Sequence, residues 1–330
     1  DHSFAPDGYF TEGPYYLRYA IFPFLIFSKA LSNNMPDLDI MNYRDGIMTK
    51  AIYALLNQTD ANGQFFPLND SQKGMSWNAR ELITAVNILY TEDPNNKTLL
   101  DIARRQNEVL LDDSGYAVAV ALKNGEAIPY TQQPMIYGDG ADGTEGGIGI
   151  LRNRKTCLVM KYSAQGMGHG HFDKLSYSLY DGKGEVVQDY GSSRWVNIDQ
   201  KGGGRYLPEN KTFAKQTIAH NTVVINETSH YEGKIENGEL HHPYLYFADL
   251  STQEAQILIA KDTNAYPGIE LQRTLVLLTD ESLPNPLVVD LFKVESDQQV
   301  QLDLPLWFQG QLLGTDFDYT RKLDQLNTLG

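Results

Sequence analysis

The period of the apolar residues changes partway along the chain, and one layer of secondary structure cannot satisfy both periods. Between about residues 14 and 112 they recur at helical spacing: Ile47, Ala51, Ile52, Leu55 and Leu56; then Leu82, Val86 and Leu89; then Leu99, Ile102 and Val109, with Gln106 in register. Turn-rich stretches at 33–36, 60–67 and 91–96 separate them at lengths that suit helix hairpins. This half predicts a toroid or bundle of helical hairpins. From Tyr116 onward the period is two, as in residues 156–162, 220–225, 255–260 and 287–294. Residues 176–180 and 185–190 flank Asp181-Gly182-Lys183-Gly184, whose glycines supply the positive φ of a hairpin turn. Short strands without intervening helices predict an antiparallel sandwich, so the chain is α+β with its boundary near residues 112–116.

The 330 residues, 42% hydrophobic and 21% charged, suffice for a large core and for two domains. One cysteine, Cys157, excludes an intrachain disulfide and every Cys-based zinc motif, so any metal must use His and carboxylates. The formal net charge of -15 disfavours nucleic acid, but residues 152–215 carry 11 basic and 6 acidic side chains, a local net of +5 to which a polyanion could bind. The longest apolar run, residues 20–27, is interrupted by Pro23 and far short of a bilayer span, so no membrane segment is expected. The N-terminus has no initiator Met, basic n-region or apolar h-region, and neither end looks natural.

The densest constellation is Gly166-Met-Gly-His-Gly-His-Phe-Asp-Lys174. If extended, it points His169 and His171 to one face. Asp189 closes a hairpin strand and His220 opens a later one, and two His with one carboxylate suit zinc with water as fourth ligand. Their 49-residue spread fits better, on spacing alone, half-buried histidines bonded to backbone. A second cluster, residues 6–19, leads into a helix whose first turns hold Tyr15, Tyr16, Arg18 and Tyr19, with Tyr16 and Tyr19 on one face. Aromatic packing at a helix start is the plainer account of a lone tyrosine there. A third places Arg194, Arg205 and Tyr206 in glycine-rich loops of the basic stretch, as readily a surface loop with incidental charges. The acceptor triplets at Asn57 and Asn69 are frequent by chance, and the Gly138 to Gly149 loop lacks the ligand order of an EF-hand.

Taken together, Asp7-Gly8 through Glu12-Gly-Pro-Tyr-Tyr-Leu-Arg-Tyr19, Gly168-His-Gly-His-Phe-Asp173, Gln188-Asp-Tyr-Gly191, Arg205-Tyr206 and Ala219-His-Asn-Thr222 resemble the heparinase II/III-like polysaccharide lyases, most closely polysaccharide lyase family 17, the oligoalginate lyases. The resemblance implies an incomplete α/α toroid over residues 1–114 (its C-terminal part) and an antiparallel β-sandwich over 115–330, truncated at its C-terminus, with the active site between them. It also implies exo-acting β-elimination on alginate oligosaccharides, with other uronic-acid polymers such as glycosaminoglycans as the nearest alternative substrates and a non-catalytic carbohydrate-binding protein as the alternative of another class. Tyr16, Tyr206 and His169 are then catalytic. Tyr15, Arg18, Tyr19, Arg194 and Arg205 are the substrate-binding candidates. His171, Asp189 and His220 hold a zinc ion that braces the sandwich strands. The expected location is periplasmic or secreted, and a homodimer is an open expectation. The family's Asn-His pair upstream of the tyrosine motif has no match here, so the chain is expected to begin inside the toroid.

β-Elimination removes the poorly acidic C5 proton beside a carboxylate and expels the glycosidic oxygen at C4. Cations or amides must offset the carboxylate charge. A base and an acid handle the two protons. Tyrosine, with an ordinary pKa of about 10, serves as acid unchanged and as base only where cations lower it.

Overall fold

A computed structural model describes residues 3–193 and 204–321. Gly13, at φ 91°, turns the chain into Pro14, which enters α1 (Pro14–Asn34) where its missing N–H leaves no bond unmade. α2 (Tyr43–Asn57), α3 (Arg80–Glu92), α4 (Thr98–Gln106) and α5 (Asp113–Lys123) follow. Arg44, Asp45 and Gly46 are left-handed, so the regular part of α2 starts at Ile47. The helices share one core of Leu17, Ile21 and Leu25 from α1, Ile52, Leu55 and Leu56 from α2, Leu82, Val86 and Leu89 from α3, and Leu99 and Ile102 from α4. The helical periodicity in the sequence thus marks these buried faces.

The helical region runs past the expected boundary. Residues 112–116 lie at the start of α5, which continues to Lys123, and the first strand opens only at Met135. The alternation after Tyr116 is an alanine–valine alternation. Alanine favours helix, the Asp112 side chain caps the Gly115 N–H at 3.0 Å, and Val118 and Ala121, three apart, are the buried pair of that stretch.

β1 (Met135–Gly138), β2 (Gly147–Asn153), β3 (Thr156–Lys161), β4 (Ser176–Asp181) and β5 (Gly184–Val187) form an antiparallel meander in chain order. The Gly182-Lys183 turn joins β4 to β5 where the sequence places it, with Gly184, at φ 129°, and not Gly182 supplying the positive φ. β6 (Val224–Ile225) pairs with the late strand β11 (Leu302–Asp303). β7 (Tyr244–Asp249), β8 (Ala255–Tyr266), β9 (Ile269–Leu278) and β10 (Leu287–Ser296) make a second antiparallel sheet. Leu151, Leu158 and Met160 of the first sheet pack with Leu258, Leu271 and Leu275 of the second, which makes the pair a sandwich.

A third apolar cluster welds the two regions. Tyr9, Ala54, Phe66 and Leu68 meet Tyr137, Ile148, Ile150, Cys157, Val159 and Tyr180. Burial pushes the Cys157 thiol up to about 11. Polar bonds reinforce the seam: Arg152 donates to the Asn57 carbonyl (2.8 Å), the Gly138 N–H donates to Asp7 (2.8 Å), and Thr11 donates to the buried carboxylate of Asp139. The Gly- and Asp-rich loop is therefore partly hairpin strand and partly interface.

His230 is buried in the sandwich, accepting the Lys174 N–H at Nδ1 (3.2 Å) and lying edge-on to Tyr266. Burial lowers its pKa to about 4. The unfolded chain therefore binds a proton here between pH about 6.5 and about 4 that the native state refuses, so stability contributed by this site falls as pH drops through that window, by about 3 kcal/mol in all. In an NMR titration His230 should remain neutral at pH 5; a signal titrating near the free-imidazole value would contradict its burial.

Candidate active site and metal-ligand cluster

The histidine segment is a run of turns rather than a strand. Gly166 and Gly168 have φ of 82° and 84°, and a Cβ on Gly170 would stand 1.3 Å from the Gln165 carbonyl oxygen. Glycine is obligatory there. His169 and His171 consequently do not converge by alternation. They converge on Asp70, in the loop between α2 and α3. His169 Nδ1 is 3.3 Å from Asp70 Oδ2, and His171 Nε2 is 3.2 Å from Oδ1. Asn210 donates to Oδ1 at 2.7 Å, and Lys215 Nζ stands 3.1 Å from Oδ2. Burial opposes the Asp70 charge, but the two histidines and Lys215 outweigh it and hold the carboxyl far below the ordinary range.

Above Asp70 the Tyr16 ring stacks on His169, centroids 3.7 Å apart, and its hydroxyl donates to the Asp70 carbonyl at 3.4 Å. Arg205 Nη1 approaches both ring nitrogens of His169, at 3.0 and 2.9 Å, while Glu12 Oε1 stands 3.9 Å from Nε2. Arg205 also lies 4.9 Å from the ring centre of the exposed Tyr206. Asp70, Gly168, Phe172, Arg205, Tyr206 and Lys215 line a cleft of about 470 Å³. The condition for a tyrosine base, a pKa lowered by cations, is not met at Tyr16: burial and then Asp70 raise it to about 12, against a smaller pull from Arg205. At neutral pH Tyr16 is a phenol, suited to donate a proton. Burial also raises the Glu12 carboxyl, against His169 and Arg205.

The neighbouring candidates are placed differently. Tyr15 is buried edge-on against Tyr16, so Tyr16 is the phenol beside His169. Arg18 is buried, paired with Glu81 at 2.9 Å and set against the rings of Tyr15 and Tyr19, so its donors brace the helix start instead of facing ligand. Tyr19 is half exposed and takes a 2.6 Å bond from Arg18. Arg194 lies outside the described residues.

The metal-ligand candidates are buried together. His171 Nδ1 lies 3.3 Å from His220 Nε2, and Asp189 Oδ2 lies 3.5 Å from His220 Nδ1. That Nδ1 has no hydrogen-bond partner among the described residues. Separations of this size match two ligands of one tetrahedral zinc, whose bonds are about 2.0–2.1 Å. His220 presents a different nitrogen to each neighbour, so taking all three ligands at once requires its ring to turn. Asp173 falls, with His171 and His220, in a group whose ligand atoms lie within 4.8 Å of one another. Yet both Asp173 oxygens are held by Lys161 Nζ, at 2.7 and 2.6 Å. Among the described residues Asp189 Oδ1 takes the Gly191 N–H (2.8 Å), leaving Oδ2 for a cation. The donor set fits zinc, with Asp189 the better third ligand. Burial works against both charges of the Asp189–His220 pair, but mutual attraction prevails, lowering the carboxyl and raising the imidazole.

Part of the basic stretch is internal, while Arg154, Lys155, Lys183 and Lys211 are exposed. Arg152, Lys161 and Lys174 are buried, spent on the seam carbonyls, on Asp173 and on the Ser163 and Ala164 carbonyls. Arg205, Lys211 and Lys215 remain at the cleft. Sequence reasoning missed Asp70, Glu12 and Lys161. Asp70 falls inside the Asn69 acceptor triplet, and Asn69 itself is buried and accepts from Lys161. A polar turn directly after Phe65-Phe66-Pro67-Leu68 was the available signal.

Along the whole chain, two curated proteins are similar. An exo-oligoalginate lyase of Saccharophagus degradans is 44% identical, covering 100% of this chain and 45% of that protein. An alginate lyase of Stenotrophomonas maltophilia is 43% identical, covering 100% of this chain and 44% of that protein. The chain therefore spans less than half the length of these relatives. In fold it resembles a solved heparinase III (TM-score 0.62, 18% identity, 95% of this chain and 42% of that one). It also resembles a mutant of the heparan sulfate lyase HepC from Pedobacter heparinus (TM-score 0.61, 16% identity, 87% of this chain and 39% of that one). These neighbours match the incomplete helical toroid followed by an antiparallel sandwich. The sequence profile described as "Heparinase II/III-like, C-terminal" matches residues 136–318, more than half of the chain, and the chain belongs to that family.

Proposed function

We propose that the chain carries part of the active site of a lyase that cleaves alginate oligosaccharides by β-elimination, working from a chain end and releasing unsaturated uronate. The observation that carries this reading is the stack of Tyr16 on His169 with Arg205 against the imidazole, beside a cleft bordered by Lys215. The reading is supported by the two relatives that align along the whole chain. A guanidinium and an ammonium at the cleft offset the uronate carboxylate. Tyr16, held protonated by burial, delivers a proton to the leaving C4 oxygen. Tyr206, which lines the cleft, and His169, behind Arg205, are the groups from which the C5 base is drawn. A periplasmic or secreted location rests on the family resemblance.

Zinc belongs to the same proposal, held by His171, Asp189 and His220. When bound it supplies a fixed charge that ties three segments of the sandwich together. The residues do the rest: burial excludes water from His171 and His220, and Lys161 keeps Asp173 charged beside them.

Two outcomes follow for protein expressed from its complete reading frame. Alginate oligosaccharides should yield a product with the ultraviolet absorbance of a C4–C5 double bond, and Tyr16→Phe should lower that rate on the order of 10² to 10⁴-fold while substrate affinity and fold persist. Tyr15→Phe should be mild, and near-normal turnover in Tyr16→Phe would remove the phenol from the mechanism.

For the metal, purified protein never exposed to chelator should contain about one zinc per chain. His220→Ala and Asp189→Asn should lose it and melt earlier. Zinc retained in Asp189→Asn but lost in Asp173→Asn would reassign the third ligand; zinc-free wild type of unchanged stability would return these histidines to a packing role.

A further inference from the structure

Asp70 touches both histidines and the tyrosine, yet the reaction described above gives it nothing to do. It belongs to the helical region, whereas His169, His171, Asn210 and Lys215 come from loops of the sandwich. Its N–H donates to the His169 carbonyl at 3.1 Å, and its carbonyl accepts from Tyr16. Its two oxygens divide four donors, Asn210 and His171 on one, His169 and Lys215 on the other.

We propose that Asp70 is a positioning residue that fixes the tautomers of His169 and His171 at once, and so couples the metal-ligand cluster to the cleft. A carboxylate surrounded by Lys215 and Asn210 only accepts, so each ring nitrogen facing it must carry hydrogen. His171 is then protonated at Nε2 and presents its Nδ1 lone pair towards His220, 3.3 Å away. At His169 both Asp70 Oδ2 (3.3 Å) and Arg205 Nη1 (3.0 Å) face Nδ1, and Arg205 Nη1 also stands 2.9 Å from Nε2; with the carboxylate able only to accept, the hydrogen is assigned to Nδ1 and the lone pair to Nε2. A carboxylate behind a metal-binding histidine is a recurrent device for fixing its tautomer. Here the same carboxylate reaches a second imidazole beneath Tyr16, and being anchored in the helical region it sets where that imidazole stands relative to α1. The roles of His169 and His171 rest on the proposed function; the tautomers do not.

The test uses the whole protein labelled with ¹⁵N-histidine, in which two-bond ¹H–¹⁵N correlations report each ring's tautomer, assigned through His169→Gln and His171→Gln. Metal-free wild type should show Nδ1–H at His169 and Nε2–H at His171, and Asp70→Asn should disturb both. In the same variant, zinc affinity measured by competition with a chromophoric chelator should fall on the order of 10 to 100-fold, and kcat by a similar factor with KM changed less. Asp70→Glu, which keeps the charge, should retain the tautomers if Asp70→Asn does not fold. Opposite tautomers in wild type overturn the proposal whatever the activity, as does an Asp70→Asn protein with unchanged tautomers. Wild-type protein that forms no double bond defeats the lyase reading, and the spectra then judge Asp70 independently.

Discussion

A carboxylate taken out of water must be met by donors, and at Asp70 that requirement organises everything near it. Removing a charge from solvent costs several kcal/mol unless hydrogen bonds and opposite charge replace the lost hydration. Asp70 meets the condition by drawing donors from two loops of the sandwich into the helical region. Tyr16, His169 and His171 hold their relative places because each contacts this one residue. The apolar seam of Phe66, Leu68, Ile148 and Val159 brings the regions together without direction, and the carboxylate supplies the direction.

The charges beneath the site meet the same requirement. Lys161 and Asp173 are both fully buried, and Lys161 also reaches Asn69, the residue before Asp70. Burial alone would neutralise Asp173; the adjacent ammonium overcomes this and keeps it well below the ordinary carboxylate range. Lys174 shows the opposite balance: with carbonyl partners at Ser163 and Ala164, burial draws it down to about 8. The charges of Arg152, Lys161 and Lys174 are thus consumed by internal pairing. Net charge over a segment says little about its surface until burial is known.

What was legible in the sequence follows the range of each physical signal. Periodicity is local, and the faces of α2, α3 and α4 follow from it directly, as does the Gly182-Lys183 turn. It misled at Tyr116 because alternating alanine and valine satisfies a period of two while alanine's helix propensity and the Asp112 cap decide the outcome. Residues 220–223 read as a strand, but Asn221 spends its side chain on the Tyr177 and Gln188 carbonyls, and only Val224 and Ile225 are left to pair. Arg205 and Tyr206 line the cleft, Arg205 touches the His169 ring on which Tyr16 stacks, and His171, Asp189 and His220 lie buried beside one another. Arg18 could not be judged from sequence, since its partner Glu81 is 63 residues away.

Asp70 was invisible for a related reason. A short polar turn carries no periodicity, and nothing local distinguishes an aspartate that closes a loop from one that reaches across an interface. The distinction rests on what surrounds it after folding, with separations of 99 to the first histidine and 101 to the second. The glycines of the histidine segment were readable only in half. Their number marks a tight backbone, but the need for glycine at 170 arises because the Gln165 carbonyl occupies the space of its Cβ. That close approach forces the segment out of strand geometry. With alternation lost, the two imidazoles need an external group to orient them, so the tight backbone at Gly170 and the reach of Asp70 are two halves of one constraint.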